Sequence, residues 1–275
     1  MAKIKNIIKA IVPPILYATI QNFRKFDRTG ITWSGDFKTW DDAEAECTGY
    51  DTDLILEECK NSMLKIKSGE AVYERDSVLF DEIHYNWGLV AGLQKAAMEN
   101  NGELCVLDFG GSLGSSFYQN RDFLNLNKKL TWCIVEQENF VKCGKENFET
   151  EELKFYYDIE ECLRTNKPNV ILLGSVLQYL QDPYEWLERL IELNISYIII
   201  DRTAFIDVAS DLLTIQTVPD SIYKASYPAW FFSIAKFDHA IRKYQKIANF
   251  DSGYTPPMVI NNKVSAKWSG LILRK

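Results

Sequence analysis

Histidine is almost missing from this chain of 275 residues: there are two, His84 and His239. That argues against a histidine-rich metal centre. Proline and glycine are also scarce, at 8 and 14 residues, too few for a fibrous or low-complexity protein. The six cysteines (47, 59, 105, 133, 143 and 162) form no Cys-x-x-Cys pair. A zinc site is not indicated, and the spacing reads as buried thiols in a reducing compartment. No metal is expected. Basic residues are outnumbered, 31 Lys+Arg against 38 Asp+Glu, for a net charge of −7. That speaks against nucleic acid as a partner, which selects a basic face. No apolar run reaches the roughly 18 residues of a membrane span.

The N-terminus departs from the acidic balance. Residues 1–28 carry Lys3, Lys5, Lys9, Arg24, Lys25 and Arg28 against Asp27 alone, and Pro13-Pro14 interrupts any continuous helix. The clean apolar run and cleavage site of a signal peptide are missing. A basic amphipathic segment suits an anionic membrane surface; the alternative is a helix docked on its own domain. The expected location is cytoplasmic, with this segment a candidate for contact with the inner face of the membrane.

What is present is a globular composition, 47% hydrophobic and 25% charged, in a chain long enough to bury a sizeable core. Residues 1–100 read as an N-terminal helical cap and substrate region, and 101–275 as a second domain. In the first part, Asp41 and Asp42 open a helix and Gly49-Tyr50-Asp51 reads as a turn. Phe80, Ile83, Trp87, Val90 and Ala97 have helical spacing over 77–99, with Asp76 or Ser77 as N-cap. From about 103, short apolar strands alternate with helices. The strand candidates are 104–108, 131–136, 153–157, 170–175 and 195–201. The runs Val170-Ile171-Leu172-Leu173 and Ile198-Ile199-Ile200 are apolar without alternation, as strands covered on both faces are. Asp182-Pro183 with Glu185 marks a helix start. Strands 246–250 and 267–273 read as a terminal antiparallel pair. The expected fold is α/β, with a mostly parallel sheet and helices on both sides.

The most informative segment is Val106-Leu107-Asp108-Phe109-Gly110-Gly111-Ser112-Leu113-Gly114-Ser115-Ser116. It lies between a buried strand and a helix, where bare backbone lets a ligand lie against the turn. No Lys follows Gly114, which excludes a phosphate loop of an NTPase. The dinucleotide spacing is met only with two serines, leaving a nicotinamide-dependent oxidoreductase as a weaker reading. Gly110, Ser112 and Gly114 after Val-Leu-Asp-Phe resemble the first motif of class I S-adenosylmethionine-dependent methyltransferases, with Ser112 in the middle glycine slot. The resemblance implies a seven-stranded Rossmann-like sheet and S-adenosylmethionine as cofactor, with S-adenosylhomocysteine as product. It assigns cofactor contacts to Asp108, Gly110, Gly111, Ser112, Gly114, Glu136, Gln137, Tyr157, Asp158 and Ser175. Glu136, 26 residues past Gly110, is placed to accept hydrogen bonds from ribose hydroxyls.

The chain also resembles a family of methyltransferases encoded in bacterial surface-polysaccharide loci. The carrying residues are Gly35-Asp36-Phe37 with Trp40, Gly49-Tyr50-Asp51, the glycine loop, Ile200-Asp201-Arg202-Thr203, and Ser226-Tyr227-Pro228 with Trp230-Phe231-Phe232. That likeness implies methylation, as an O-methyl ether, of a sugar or nucleotide-sugar used for capsule or O-antigen. Asp201 and His84 are the candidate bases. Arg202, Tyr227, Trp230 and Tyr85 are candidate substrate contacts. A rival reading is a non-catalytic adenosyl-binding module, or a complex-forming subunit of a glycan assembly system.

Overall fold

A computed structural model describes residues 30–48, 52–75, 77–124, 128–219, 225–253, 258–261 and 263–275. The basic N-terminal segment, Gly49-Tyr50-Asp51 and Asp76 lie outside these residues. The order opens with β1 (Thr32–Phe37), α1 (Trp40–Ala45), α2 (Thr52–Ser68), a hairpin of β2 (Tyr73–Arg75) and β3 (Val78–Phe80), and α3 (Trp87–Glu99). Alternating units follow: β4 (Glu103–Phe109), α4 (Ser115–Leu124), β5 (Lys129–Val135), α5 (Glu138–Asn147), β6 (Leu153–Tyr156), α6 (Ile159–Thr165) and β7 (Val170–Gly174). A 3-10 turn at Leu177–Tyr179, α7 (Pro183–Glu192) and β8 (Tyr197–Ile206) complete that series. The chain then runs through β9 (Leu212–Val218), β10 (Ala225–Ser233), α8 (Ile234–Ala240), β11 (Gln245–Asp251), β12 (Met258–Ile260) and β13 (Val264–Arg274).

The apolar runs build the parallel centre. Strands β6, β5, β4, β7 and β8 are neighbours in that order, all parallel. Val170 to Leu173 and Ile198 to Ile200 are fully buried, because alternate side chains enter different cores. Val106, Leu172 and Ile199 pack on one face with Leu93 of α3, Phe117 of α4 and Phe140 of α5. Leu107, Ile171 and Ile198 pack on the other with Cys162 of α6, Leu187 of α7 and Phe237 of α8. Each fully buried Leu or Ile contributes about 1.5–3 kcal/mol, so the two faces dominate the stability. The six cysteines form no disulfide; Cys133, Cys143 and Cys162 are buried.

The sheet is larger than expected: eleven strands, not seven. Strand β13 runs antiparallel to β8, and β11 antiparallel to β13, beside the five parallel strands. The additional members are β12, on β13, and a wing of β10, β9 and β1. The reason lies in β8, which spans ten residues where seven were expected, ending at Asp201. Residues Tyr197–Asp201 pair with β7. Phe205 and Ile206 go on to pair with Phe232 and Ser233 of β10. Strand β9 then pairs antiparallel with β10, and β1 with β9.

Among the described residues before β4, an N-terminal helical cap is not shown; helices α1–α3 are interspersed with strands. Strand β1 belongs to the main sheet and β2–β3 is a separate two-stranded sheet. The helix expected over 77–99 begins at Trp87. Asn86 is its N-cap: the side-chain oxygen accepts from the N–H of Gly88 at 3.2 Å and of Leu89 at 3.5 Å. Phe80 instead stacks on Tyr73 across the hairpin, with ring centroids 5.5 Å apart. Asp182 is the N-cap of α7 with Pro183 at its first turn, although its side chain makes no cap bond.

Candidate functional site

A cavity of about 760 Å³ opens at the C-terminal ends of the parallel strands, where ligands bind in open α/β sheets. The glycine loop, Glu136, Asp158, Ser175 and Arg202 line its sheet side. Trp33, Trp40, Gln216 and Tyr227 line the side formed by α1 and the wing, and Glu74, Arg75 and Phe80 of the hairpin also face it.

The loop between β4 and α4 is bare backbone for a packing reason. A Cβ on Gly110, whose φ is +72°, would lie 2.4 Å from Val176 Cγ2. A Cβ on Gly111 would lie 2.6 Å from Asp108 Cγ. Ser112 holds φ +53°, the left-handed conformation that glycine adopts freely. A serine in the middle glycine slot therefore keeps a glycine-like backbone, at a cost of about 1–2 kcal/mol. Ser175 (φ +60°) and Arg202 (φ +49°) also line the cavity in this region of conformational space. Gly114 (φ +99°) sits elsewhere: it faces Leu153 and Ile134 in the core, not the cavity.

Glu136 follows the end of β5, and its carboxylate closes the loop. Oε1 accepts from the Ser112 N–H at 3.2 Å and Oε2 from the Gln137 N–H at 2.7 Å. Burial raises its pKa, and those two N–H groups act against that shift. Gln137 is the exposed N-cap of α5. Asp108 lies beneath the loop, 1% exposed, and accepts from Trp132 Nε1 at 2.8 Å. Burial pushes its pKa up to about 7, against the Trp132 hydrogen bond and the Arg202 charge. Asp158 caps α6 by accepting from the Glu161 N–H at 2.6 Å, while Tyr157 is exposed with Lys145 Nζ 4.5 Å from its ring centroid.

The two candidate bases are not brought together. Asp201 is 4% exposed and does not line the cavity; Oδ1 accepts from Asn86 Nδ2 at 2.7 Å. Its Oδ2 lies 3.6 Å from Arg202 Nε, so it sits behind the arginine that does line the cavity. Burial raises its pKa, and Arg202 opposes the rise. His84 is not on a helix. It lies in the irregular stretch before α3, half exposed, with Nε2 3.5 Å from Glu82 Oε1; it does not line the cavity, although its ring meets Phe80, which does, edge-on at 6.3 Å between centroids. Tyr85 packs against Trp87 and Phe123, also outside the cavity. Of the aromatic candidates on β10, Tyr227 faces the cavity, whereas Trp230 is turned away and donates Nε1–H to the Leu180 carbonyl at 3.1 Å.

Sequence reasoning missed the residue that organises the wing wall. Gln216, 4% exposed on β9, is the hub of the wing wall. Its Oε1 accepts from Trp33 Nε1 at 3.0 Å and Tyr179 OH at 2.9 Å, and its Nε2 donates to Tyr227 OH at 3.0 Å. Glu74 is 3% exposed; it accepts from the Ser77 N–H at 3.0 Å and from the Ser115 hydroxyl. The signal for Gln216 was the β-branched run Thr214-Ile215-Gln216-Thr217-Val218. Glu74 was not missed: it lies in the charge-dense Tyr73-Glu74-Arg75-Asp76, which the sequence offers as a segment closing over the methionine part of a cofactor, the alternative being helix capping and surface ion pairs. Among the described residues no group of three or more His, Cys, Asp or Glu is placed to hold a metal ion. No described helix is long and apolar enough to cross a membrane.

Fold and site together define an α/β protein with a mostly parallel sheet and a glycine-loop cavity at the strand ends. No protein-family model matches the chain, and no curated protein matches it. Similar solved structures include the N-terminal domain of EvdMO1 in the presence of S-adenosylhomocysteine and D-fucose, at 11% identity and a TM-score of 0.44. That match covers 82% of this chain and 97% of the other. Magnesium protoporphyrin IX methyltransferase (ChlM) from Synechocystis PCC 6803 with bound S-adenosylmethionine matches at 13% identity and 0.40, over 68% of this chain and 77% of the other. Human N-acetylserotonin methyltransferase with S-adenosylmethionine matches at 11% and 0.41, over 68% and 51%.

Proposed function

We propose that the chain is an S-adenosylmethionine-dependent methyltransferase that methylates a hydroxyl of a sugar or nucleotide-sugar acceptor for surface glycan synthesis. One observation carries this reading. The Glu136 carboxylate is fixed at the end of the second parallel strand, against the Ser112 N–H of a loop whose Gly110 and Gly111 carry no side chain, on the wall of a cavity. A carboxylate so placed accepts from vicinal ribose hydroxyls, and the bare backbone at Gly110–Gly111 lets a ligand lie flat against it.

The residues present fit an adenosyl cofactor, which when bound supplies an electrophilic methyl group on sulfonium sulfur. Glu136 orients the ribose, and the backbone of the loop holds the adjoining chain. Asp158 and Ile159 line the cavity beyond Glu136, on the adenine side. Across the cavity, Trp33, Tyr179 and Tyr227 are locked by Gln216 into rings with fixed polar edges, which suits a sugar ring. Arg202 takes an anionic group of the acceptor, and Asp201 positions it from behind. In-line transfer needs acceptor and methyl group aligned, and holding both sides on one sheet supplies that alignment.

Calorimetric titration with S-adenosylmethionine and S-adenosylhomocysteine tests the reading. Micromolar binding is expected, lost in Gly110→Val, where the new side chain meets Val176, and weakened in Glu136→Ala. No binding by the wild-type protein at millimolar ligand sinks the proposal and favours a structural role for the loop.

A further inference from the structure

The hairpin β2–β3 brings a second carboxylate to the cavity, on a side of the glycine loop that Glu136 does not reach. Glu74 is 3% exposed yet forms part of the cavity wall. It bonds the Ser115 hydroxyl, at the first residue of α4, while Glu136 bonds the Ser112 N–H. Ser112 and Ser115 are three residues apart, so these two anchor points lie within about 10 Å of each other. One small ligand lying along the loop therefore meets a carboxylate at each end. Burying a carboxylate is costly unless positive charge or hydrogen bonds compensate. Glu74 accepts from the Ser77 N–H and the Ser115 hydroxyl, and a carboxylate offers about four lone-pair positions in all, so a ligand donor can join them; a cationic donor makes the stronger, charge-assisted bond. The next residue, Arg75, also faces the cavity, so the hairpin presents both signs of charge, as an amino-acid zwitterion requires.

We propose that Glu74 binds the α-ammonium group of the methionine moiety of the cofactor. This rests on the methyltransferase reading above. It assigns the hairpin a direct part in ligand recognition, alongside its contact with the start of α4. A merely structural Glu74 would steady α4 through Ser115 and would affect all adenosyl ligands equally.

Three probes separate these roles: S-adenosylhomocysteine, its analogue lacking only the α-amino group, and 5′-methylthioadenosine, which lacks the whole amino-acid portion. Each is titrated into the wild-type protein, Glu74→Gln and Glu136→Gln. A charge-assisted hydrogen bond predicts that the wild type prefers S-adenosylhomocysteine over the deaminated analogue by about tenfold or more. In Glu74→Gln that preference should shrink to less than about twofold, with 5′-methylthioadenosine binding unchanged. In Glu136→Gln all three ligands should weaken together while the preference survives. Equal affinity of the wild type for the first two probes overturns the proposal. So does an equal loss for all three ligands in Glu74→Gln. If no adenosyl ligand binds the wild type, the cofactor reading fails instead. Should Glu74→Gln fail to fold, Ser115→Ala, which removes the hydroxyl that orients Glu74, must reduce the same preference; an undiminished preference there overturns the proposal.

Discussion

Asp108→Asn tests the electrostatics beneath the glycine loop. Burial raises the Asp108 pKa from 3.8 to about 7. Below pH 3.8 the group is protonated both folded and unfolded, so it adds no pH dependence. Between 3.8 and about 7 the unfolded chain has lost the proton that the folded protein keeps. Stability then falls as pH rises, by about 1.4 kcal/mol per pH unit. Across the window the loss is about 4 kcal/mol, complete above pH 7. Asparagine cannot ionise in either state, and its carbonyl oxygen can still accept from Trp132 Nε1. Its amide adds a fixed cost of about 1–3 kcal/mol if left without a partner, independent of pH. The stability of Asp108→Asn relative to wild type should therefore climb by about 2 kcal/mol between pH 5 and pH 7. Urea unfolding followed by tryptophan fluorescence reads this directly. Parallel curves over that range would refute the argument and mean that folded Asp108 is already ionised at pH 5.

Three further outcomes follow from the packing. Asn86→Ala removes a helix cap and the 2.7 Å hydrogen bond to Asp201, and should cost about 2–4 kcal/mol in urea unfolding; a loss under about 1 kcal/mol would contradict the assignment. Gln216→Leu leaves the Trp33 and Tyr179 donors without their acceptor and should lower stability by about 2–4 kcal/mol. It should leave S-adenosylhomocysteine affinity within about twofold while reducing methyl transfer, so a large loss of that affinity by calorimetry would remove Gln216 from the acceptor wall. Gly270→Ala puts a Cβ 2.1 Å from Phe250 Cζ and 2.8 Å from the Ile200 carbonyl oxygen, and should cost about 1–3 kcal/mol. An unchanged thermal midpoint would show that the β11–β13 pair shifts freely.

The parallel centre was legible because strands buried on both faces must be apolar throughout, and Val170–Leu173 and Ile198–Ile200 have no other reading in an α/β pattern. The glycine loop was legible for a similar reason: only a strand-to-helix turn with tight packing beneath it needs that cluster. The wing was not. Leu212–Val218 mixes Thr214, Gln216 and Thr217 into a strand in which Thr214 and Gln216 are buried and Thr217 is exposed, so its pattern shows no clean alternation. Pro228 inside the aromatic run masked β10, although its partner there, Ile215, lies on the neighbouring strand in register. The helix expected over 77–99 failed because Phe80, Ile83 and Trp87 have helical spacing by coincidence. Phe80 serves the hairpin, and Trp87, at 61% exposure, faces outward. Asp201 fell at the end of a strand in the sequence, but only the continuation of β8 explains why it is buried.

That continuation has a consequence for how such a protein can diverge. The half of β8 that pairs with β7 belongs to the parallel centre that carries the glycine loop, and the wing hangs from the half that pairs with β10. Arg202, at the junction, is where the backbone turns into left-handed space. The two halves behave as one beam, with β13 bracing both. Mutations in β1, β9 and β10 can therefore reshape what is held against the loop without moving the loop itself. For the transferase proposed above, acceptor choice is then free to drift while the distance over which the group must be passed stays constant.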